Sequence, residues 1–214
     1  MEPTDPREDY PPEPTEPLDS TATTEHEHPI RLVVTDDLQR TRLTVFFRLI
    51  LVIPAVLWLS LWGVVTFLAW IAAWFVAVFT GRVSDGLHQF MATYLRYETH
   101  VYAYLFLIAD PYPGFTGKPG YPIDLEVDPP VEQSRWTVFF RVILAIPALV
   151  LASVLSYVSR LLALFSWFIA LVTGRVPEGI RNFAAFALRV ETQTYGYGML
   201  LTERYPSFNV GIES

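Results

Sequence analysis

The stretch RLTVFFRLILVIPAV (residues 42–56) returns 93 residues later as RWTVFFRVILAIPAL (135–149). In both, two arginines six residues apart lead into a long apolar run. The 33 residues between Arg48 and Arg82 carry no charge, and the 33 between Arg141 and Arg175 carry only Arg160. Sliding the chain on itself by 93 residues keeps the match without an insertion, and nearly half of the paired positions are identical. Thr80-Gly81-Arg82-Val83 becomes Thr173-Gly174-Arg175-Val176, and the Tyr-Pro-x-Phe at 112–115 becomes that at 205–208. One unit of about 93 residues is therefore used twice.

Each unit has four parts. A short alternation opens it, Ile30, Leu32 and Val34 or Ile123, Leu125 and Val127, which predicts a strand with one apolar face. The apolar run follows and ends at Gly81 or Gly174, placed as left-handed residues after a helix. Ser84 and Asp85, or Pro177, then open a mixed polar and aromatic helix. With His88, Gln89, Arg96, Glu98 and His100, the helix from about Gly86 to Leu107 is too polar to cross a membrane. Its Phe90, Tyr94, Leu95, Tyr102 and Tyr104 suggest an amphipathic helix lying on the inner leaflet.

The apolar run predicts the topology. One straight helix of 33 residues would reach roughly 50 Å, against a hydrocarbon core of about 30 Å. The 40 residues from Arg42 to Gly81 suffice instead for two legs and a tip, expected near Ser60–Gly63 and, in the copy, Ser153–Ser159. Two crossings per run also keep the arginine-bearing segments on one side, as the positive-inside rule asks. The expected fold is all-α and integral to the membrane: two tandem helical hairpins giving four transmembrane helices, an interfacial helix after each, and short cytoplasmic β-strands. Even-numbered crossings relate the repeats by an axis along the membrane normal, with both termini cytoplasmic.

The formal charge of −7 belongs to one end of the chain. Residues 1–28 hold nine carboxylates against Arg7, are rich in proline and nearly lack aliphatics, which predicts a disordered acidic tail. Residues 29–121 form repeat 1 and 122–214 repeat 2. The body is close to neutral, so nucleic acid is not an expected partner. No cysteine is present, which excludes disulfides and thiol chemistry.

Candidate site residues come from the repeated charges and tyrosines: Arg48, Arg82, Arg96, Glu98 and Tyr102, with their copies Arg141, Arg175, Arg189, Glu191 and Tyr195. Glu98 and Tyr102, four apart, can meet on one helix face, as can Glu191 and Tyr195. They read as structural pairs at the hairpin feet or as lipid-headgroup contacts, with Glu98 expected to meet Arg48 or its copy. No nucleophile–base set, phosphate loop or metal-ligand spacing repeats, so no catalytic residue, cofactor or metal is expected.

The order of these motifs, Arg-x5-Arg with a following Ile-Pro, then Thr-Gly-Arg-x-Pro, Arg-x-Glu-Thr and a closing Tyr-Pro-x-Phe, resembles a bacterial, largely actinobacterial family known only as domain of unknown function 4389. Ser84 stands where that pattern has proline. The resemblance spans Pro29 to Phe208 and implies a small integral membrane protein, with no activity to transfer. The expected role is a non-enzymatic inner-membrane scaffold or accessory protein. Membrane lipids, another membrane protein or a second copy are its partners. The alternative is a small transporter or channel module formed by oligomerisation.

Overall fold

The computed structural model describes residues 28–35, 40 and 42–208; the acidic tail up to residue 27 lies outside them. The element order is β1 (Ile30–Val34), α1 (Arg42–Thr80), α2 (Asp85–Leu105), β2 (Ile123–Val127), α3 (Arg135–Thr173) and α4 (Glu178–Gly198). Strands and short helices fall within a few residues of where alternation and capping put them. Gly81 and Gly174 adopt φ of 80° and 75°, ending α1 and α3 in the left-handed conformation that lacks a Cβ penalty there.

The hairpins do not form. Each apolar run is one unbroken helix of 39 residues, about 58 Å long, so there are two candidate spans rather than four. The expected tips hold no helix-breaking pair, and two of their hydroxyls bond back along the helix. Ser60 Oγ donates to the Val56 carbonyl and Ser153 Oγ to that of Leu149. Pro54 and Pro147 are accommodated within the helices.

The long helices run antiparallel. Trp74 Nε1 donates to the Val138 carbonyl, and at the other end Trp167 Nε1 donates to that of Val45. Those two bonds are equivalents under the 93-residue offset. So are Gln133 N–H to Gly81 O and Arg40 N–H to Gly174 O, which tie each helix start to the other's end. A pseudo-two-fold axis therefore crosses α1 and α3 near their midpoints. Arg48 and Arg141 lie at opposite ends of the pair, which overturns the expectation of two hairpins set side by side in the same orientation.

Three layers stack along this axis. α2 returns antiparallel along α1, with Tyr94 over Gly63, the Tyr97 hydroxyl donating to Ala55 O and Tyr104 beside Arg48. α4 does the same on α3. Their aromatic faces turn inward onto the long helices rather than lying free as expected; Trp62, for example, stacks on Tyr97. Above them β1 and β2 pair antiparallel about Leu32 and Leu125, which are opposite one another. β1 rests on α4 and β2 on α2, so the repeats interlock. Ile30, Leu95, Leu125 and Leu200 are fully buried in the main core cluster.

Candidate functional site

The first polar assembly is a pair of knots, one at the start of each long helix. Arg48 is 1% exposed, and it bonds the carbonyls of Tyr104 (2.6 Å) and Ala109 (2.9 Å) and Asp110 Oδ1 (2.8 Å). Its guanidinium lies 4.2 Å from the Tyr104 ring centre. Nearby, Arg40 Nη2 donates to Leu107 O at 2.8 Å. The chain turns here through a positive φ at Leu107, and at Leu200 in the copy, so these carbonyls have left the helix ladder and need donors. In the second knot Arg141, fully buried, bonds Thr202 O at 2.9 Å and Gln133 Oε1 at 2.6 Å, and Gln133 Nε2 reaches Leu200 O. Arg141 also lies 4.2 Å from the Tyr197 ring centre.

A second assembly sits on the pseudo-two-fold axis, where α2 crosses α4. Glu98 and Glu191 face each other here, beside Tyr102 and Tyr195, and Tyr195 Oη donates to Glu191 Oε1 at 3.2 Å. Glu98 Oε2 is buried with no hydrogen-bond partner. Burial, then repulsion from Glu191, pushes the Glu98 carboxyl up to about 8. Burial also raises Glu191, against the opposing pull of the Ser156 and Tyr195 hydroxyls and Arg160. Next to Tyr195 a cavity of about 360 Å³ opens between the helices, lined by Gly63, Thr66, Trp70, Tyr94 and Leu149.

Arg96 serves the sheet rather than Glu98: its Nε donates to Leu125 O at 2.8 Å and lies 3.5 Å from Asp124 Oδ1. His100 Nε2 shares that carboxylate at 3.0 Å. Burial would raise Asp124, but Gly120 N–H, His100 and Leu125 N–H together hold it below the usual range. Arg82 pairs with Asp85 in solvent and Arg175 is exposed. The Arg189 guanidinium lies over the Phe186 ring. The structure thus brings together Glu98, Glu191, Tyr102 and Tyr195, and separates them from Arg48 and Arg141. Sequence reasoning missed Asp110 and Gln133 as the partners of those arginines, and Arg40 as the second donor of the first knot. The offset held a signal, since Arg40 and Gln133 are equivalent positions that each precede an apolar run.

The profile of the family described as domain of unknown function (DUF4389) matches residues 42–116 and again 135–209. The chain belongs to that family. In this two-copy member of DUF4389, each matched segment begins with a long helix and ends after the knot and its Tyr-Pro turn. No curated protein and no solved structure matches the chain. Among the described residues of this DUF4389 protein, no group of three His, Asp or Glu side chains is arranged to hold a metal.

Proposed function

We propose that the protein is a non-enzymatic protein of the inner membrane, a scaffold or a lipid- and protein-binding accessory with both termini on the cytoplasmic side. The outward face of α1 and α3 carries this reading. From Leu43 to Phe79 on one helix and Trp136 to Val172 on the other, it presents large apolar side chains, many more than half exposed. A soluble monomer rarely exposes a contiguous apolar patch beyond a few hundred Å², and this face runs the length of 39-residue helices. Its partners are lipids and, through the polar side, another membrane protein or a second copy; nucleic acid is not among them.

Cell fractionation tests the reading. The protein is expected to stay with membranes through high salt and alkaline carbonate and to leave only with detergent; recovery as a stable soluble species would sink it. Purification in mild detergent with identification of bound lipids and proteins then tests the accessory role. A second reading, a transport module, draws on the antiparallel repeats and the two carboxylates at their crossing, an arrangement of the kind seen in inverted-repeat transporters. Ion or solute flux in proteoliposomes that Glu98→Gln abolishes would favour it.

A further inference from the structure

We infer that α1 and α3 lie flat within a single leaflet, their outward face buried among the acyl chains of that leaflet and the β1–β2 sheet held above it in water. This rests on the membrane reading above and adds to it an orientation and a docking surface.

Length argues first. The uncharged run between Arg48 and Arg82 extends about 50 Å, so to stand across a core of about 30 Å it would tilt by more than 50°. Transmembrane helices tilt by about 0–40°. Lying flat, a helix about 10 Å across fits within a half-bilayer of about 15 Å with no mismatch.

Layering argues second. Polarity changes along the pseudo-two-fold axis, from the sheet at one extreme to the apolar face at the other. Arg31 in the sheet bonds Glu126 and Asp128, and all three side chains are between a third and just over half exposed. If α1 and α3 stood upright, this charged sheet would face lipid at mid-depth, and α2 with Arg96, Glu98 and His100 would have to recross the bilayer beside α1. Hydrocarbon tolerates neither. With the axis along the membrane normal, every layer meets the medium that suits it.

The side chains at the boundary agree. Trp58, Trp70, Trp74 and Trp167 donate their indole N–H groups to protein carbonyls, and the threonine and serine hydroxyls of the outward face bond their own helix. Those groups bring no unpaired donor to the acyl chains. Arg160, the lone charge in either run, sits on a flank over the Tyr157 ring and turns toward Tyr102 on α2, in the direction of water. Exposed Arg82 and Arg135 mark one end of the slab and Arg175 the other. Upright, the pseudo-symmetry would divide them between the two faces of the membrane. Flat, all three meet the anionic headgroups of one face, as the positive-inside rule asks.

The test uses the cysteine-free chain. Leu43, Leu61 and Phe79 are spaced by 18 residues, five helical turns, so they fall on one line of α1; all three are 61–73% exposed. Each is changed singly to Cys, labelled with an environment-sensitive fluorophore, and reconstituted into vesicles of phosphatidylcholine and phosphatidylglycerol carrying bromines at defined acyl depths. A flat α1 gives three labels at one depth, about 5–10 Å below the headgroup boundary. Labels 43 and 79 near opposite surfaces with 61 at the centre, about 27 Å from each along the helix, would overturn the flat orientation while leaving the membrane reading intact. Absence of quenching at all three would end both, and a dimer in detergent-free buffer with the labels shielded would assign the face to a second copy instead.

Discussion

At the start of α1, Arg48 ties the departing chain with two carbonyl bonds and an ion pair to Asp110; at the start of α3, Arg141 ties it with one carbonyl bond and the side-chain oxygen of Gln133. The partner that steadies the turn differs in the same way, Arg40 to Leu107 O in one copy and Gln133 to Leu200 O in the other. Backbone geometry is common to the two knots, down to the left-handed leucine, and the charge balance is not. The first holds two arginines and one carboxylate; the second holds one arginine and an amide, while Glu203, the copy of Asp110, stays exposed. What is fixed is the supply of donors to carbonyls that have left a helix. Which groups donate is open, because a guanidinium and an amide both present N–H groups in a plane.

That comparison predicts unequal costs. Arg48→Leu should lower stability most, by about 3 kcal/mol, the low end of the range for breaking a buried pair because Asp110 retains some contact with water. Arg141→Leu removes no ion pair and should cost about 1–3 kcal/mol, the loss of buried hydrogen bonds. Denaturation of the two variants side by side in the same detergent measures the gap, and equal losses would show that Asp110 adds nothing. Arg48→Lys should fall near Arg48→Leu, since an ammonium cannot span the two carbonyls and the carboxylate as a planar fork does.

A smaller asymmetry lies where the sheet meets the helices. Ala103 on α2 has Gly196 as its copy on α4, and a methyl at Gly196 would run into the buried Ile30 side chain. The end of an isoleucine can shift, so Gly196→Ala should cost about 1–2 kcal/mol, within the usual overpacking penalty. Ala103→Gly has no such clash to relieve. If Gly196→Ala is neutral in thermal unfolding, the two sides of the sheet are looser than their burial indicates.

An effect of opposite sign concerns the carboxylates on the axis. Folded Glu98 keeps its proton up to about pH 8, whereas the unfolded chain releases it near 4.5. Between those values the folded state binds the extra proton, so the contribution is fully present below about 4.5, declines as pH rises and is lost by about 8. Glu98→Gln should flatten that decline and raise the melting temperature at pH 8, by about 2–4 °C for each kcal/mol recovered. A fall instead, at every pH, would mean that Glu98 is held as a paired anion. Glu191 has hydroxyl partners, so Glu191→Gln should recover less.

The sequence by itself determined the repeat, the ends of its helices and the strands. Each rests on a local property: identity at a fixed offset, a left-handed glycine after Thr80 and Thr173, an alternation of two. It also determined that the two long runs are apolar enough for a membrane. Whether each run folds back or continues was decided only by the tertiary structure, because a helix satisfies its own backbone and hydropathy is the same for either course. Antiparallel contact between α1 and α3, through Trp74 and Trp167 at their two ends, fastens the two continuous helices together along their length. The site divides the same way. Glu98 and Tyr102 could be seen as neighbours on one helix, and Glu191 and Tyr195 on another. That the carboxylates face one another, while Arg48 turns to Asp110 and Arg141 to Gln133, follows from the pseudo-two-fold packing, which sends equivalent arginines to opposite ends of the molecule and brings equivalent glutamates together on its axis.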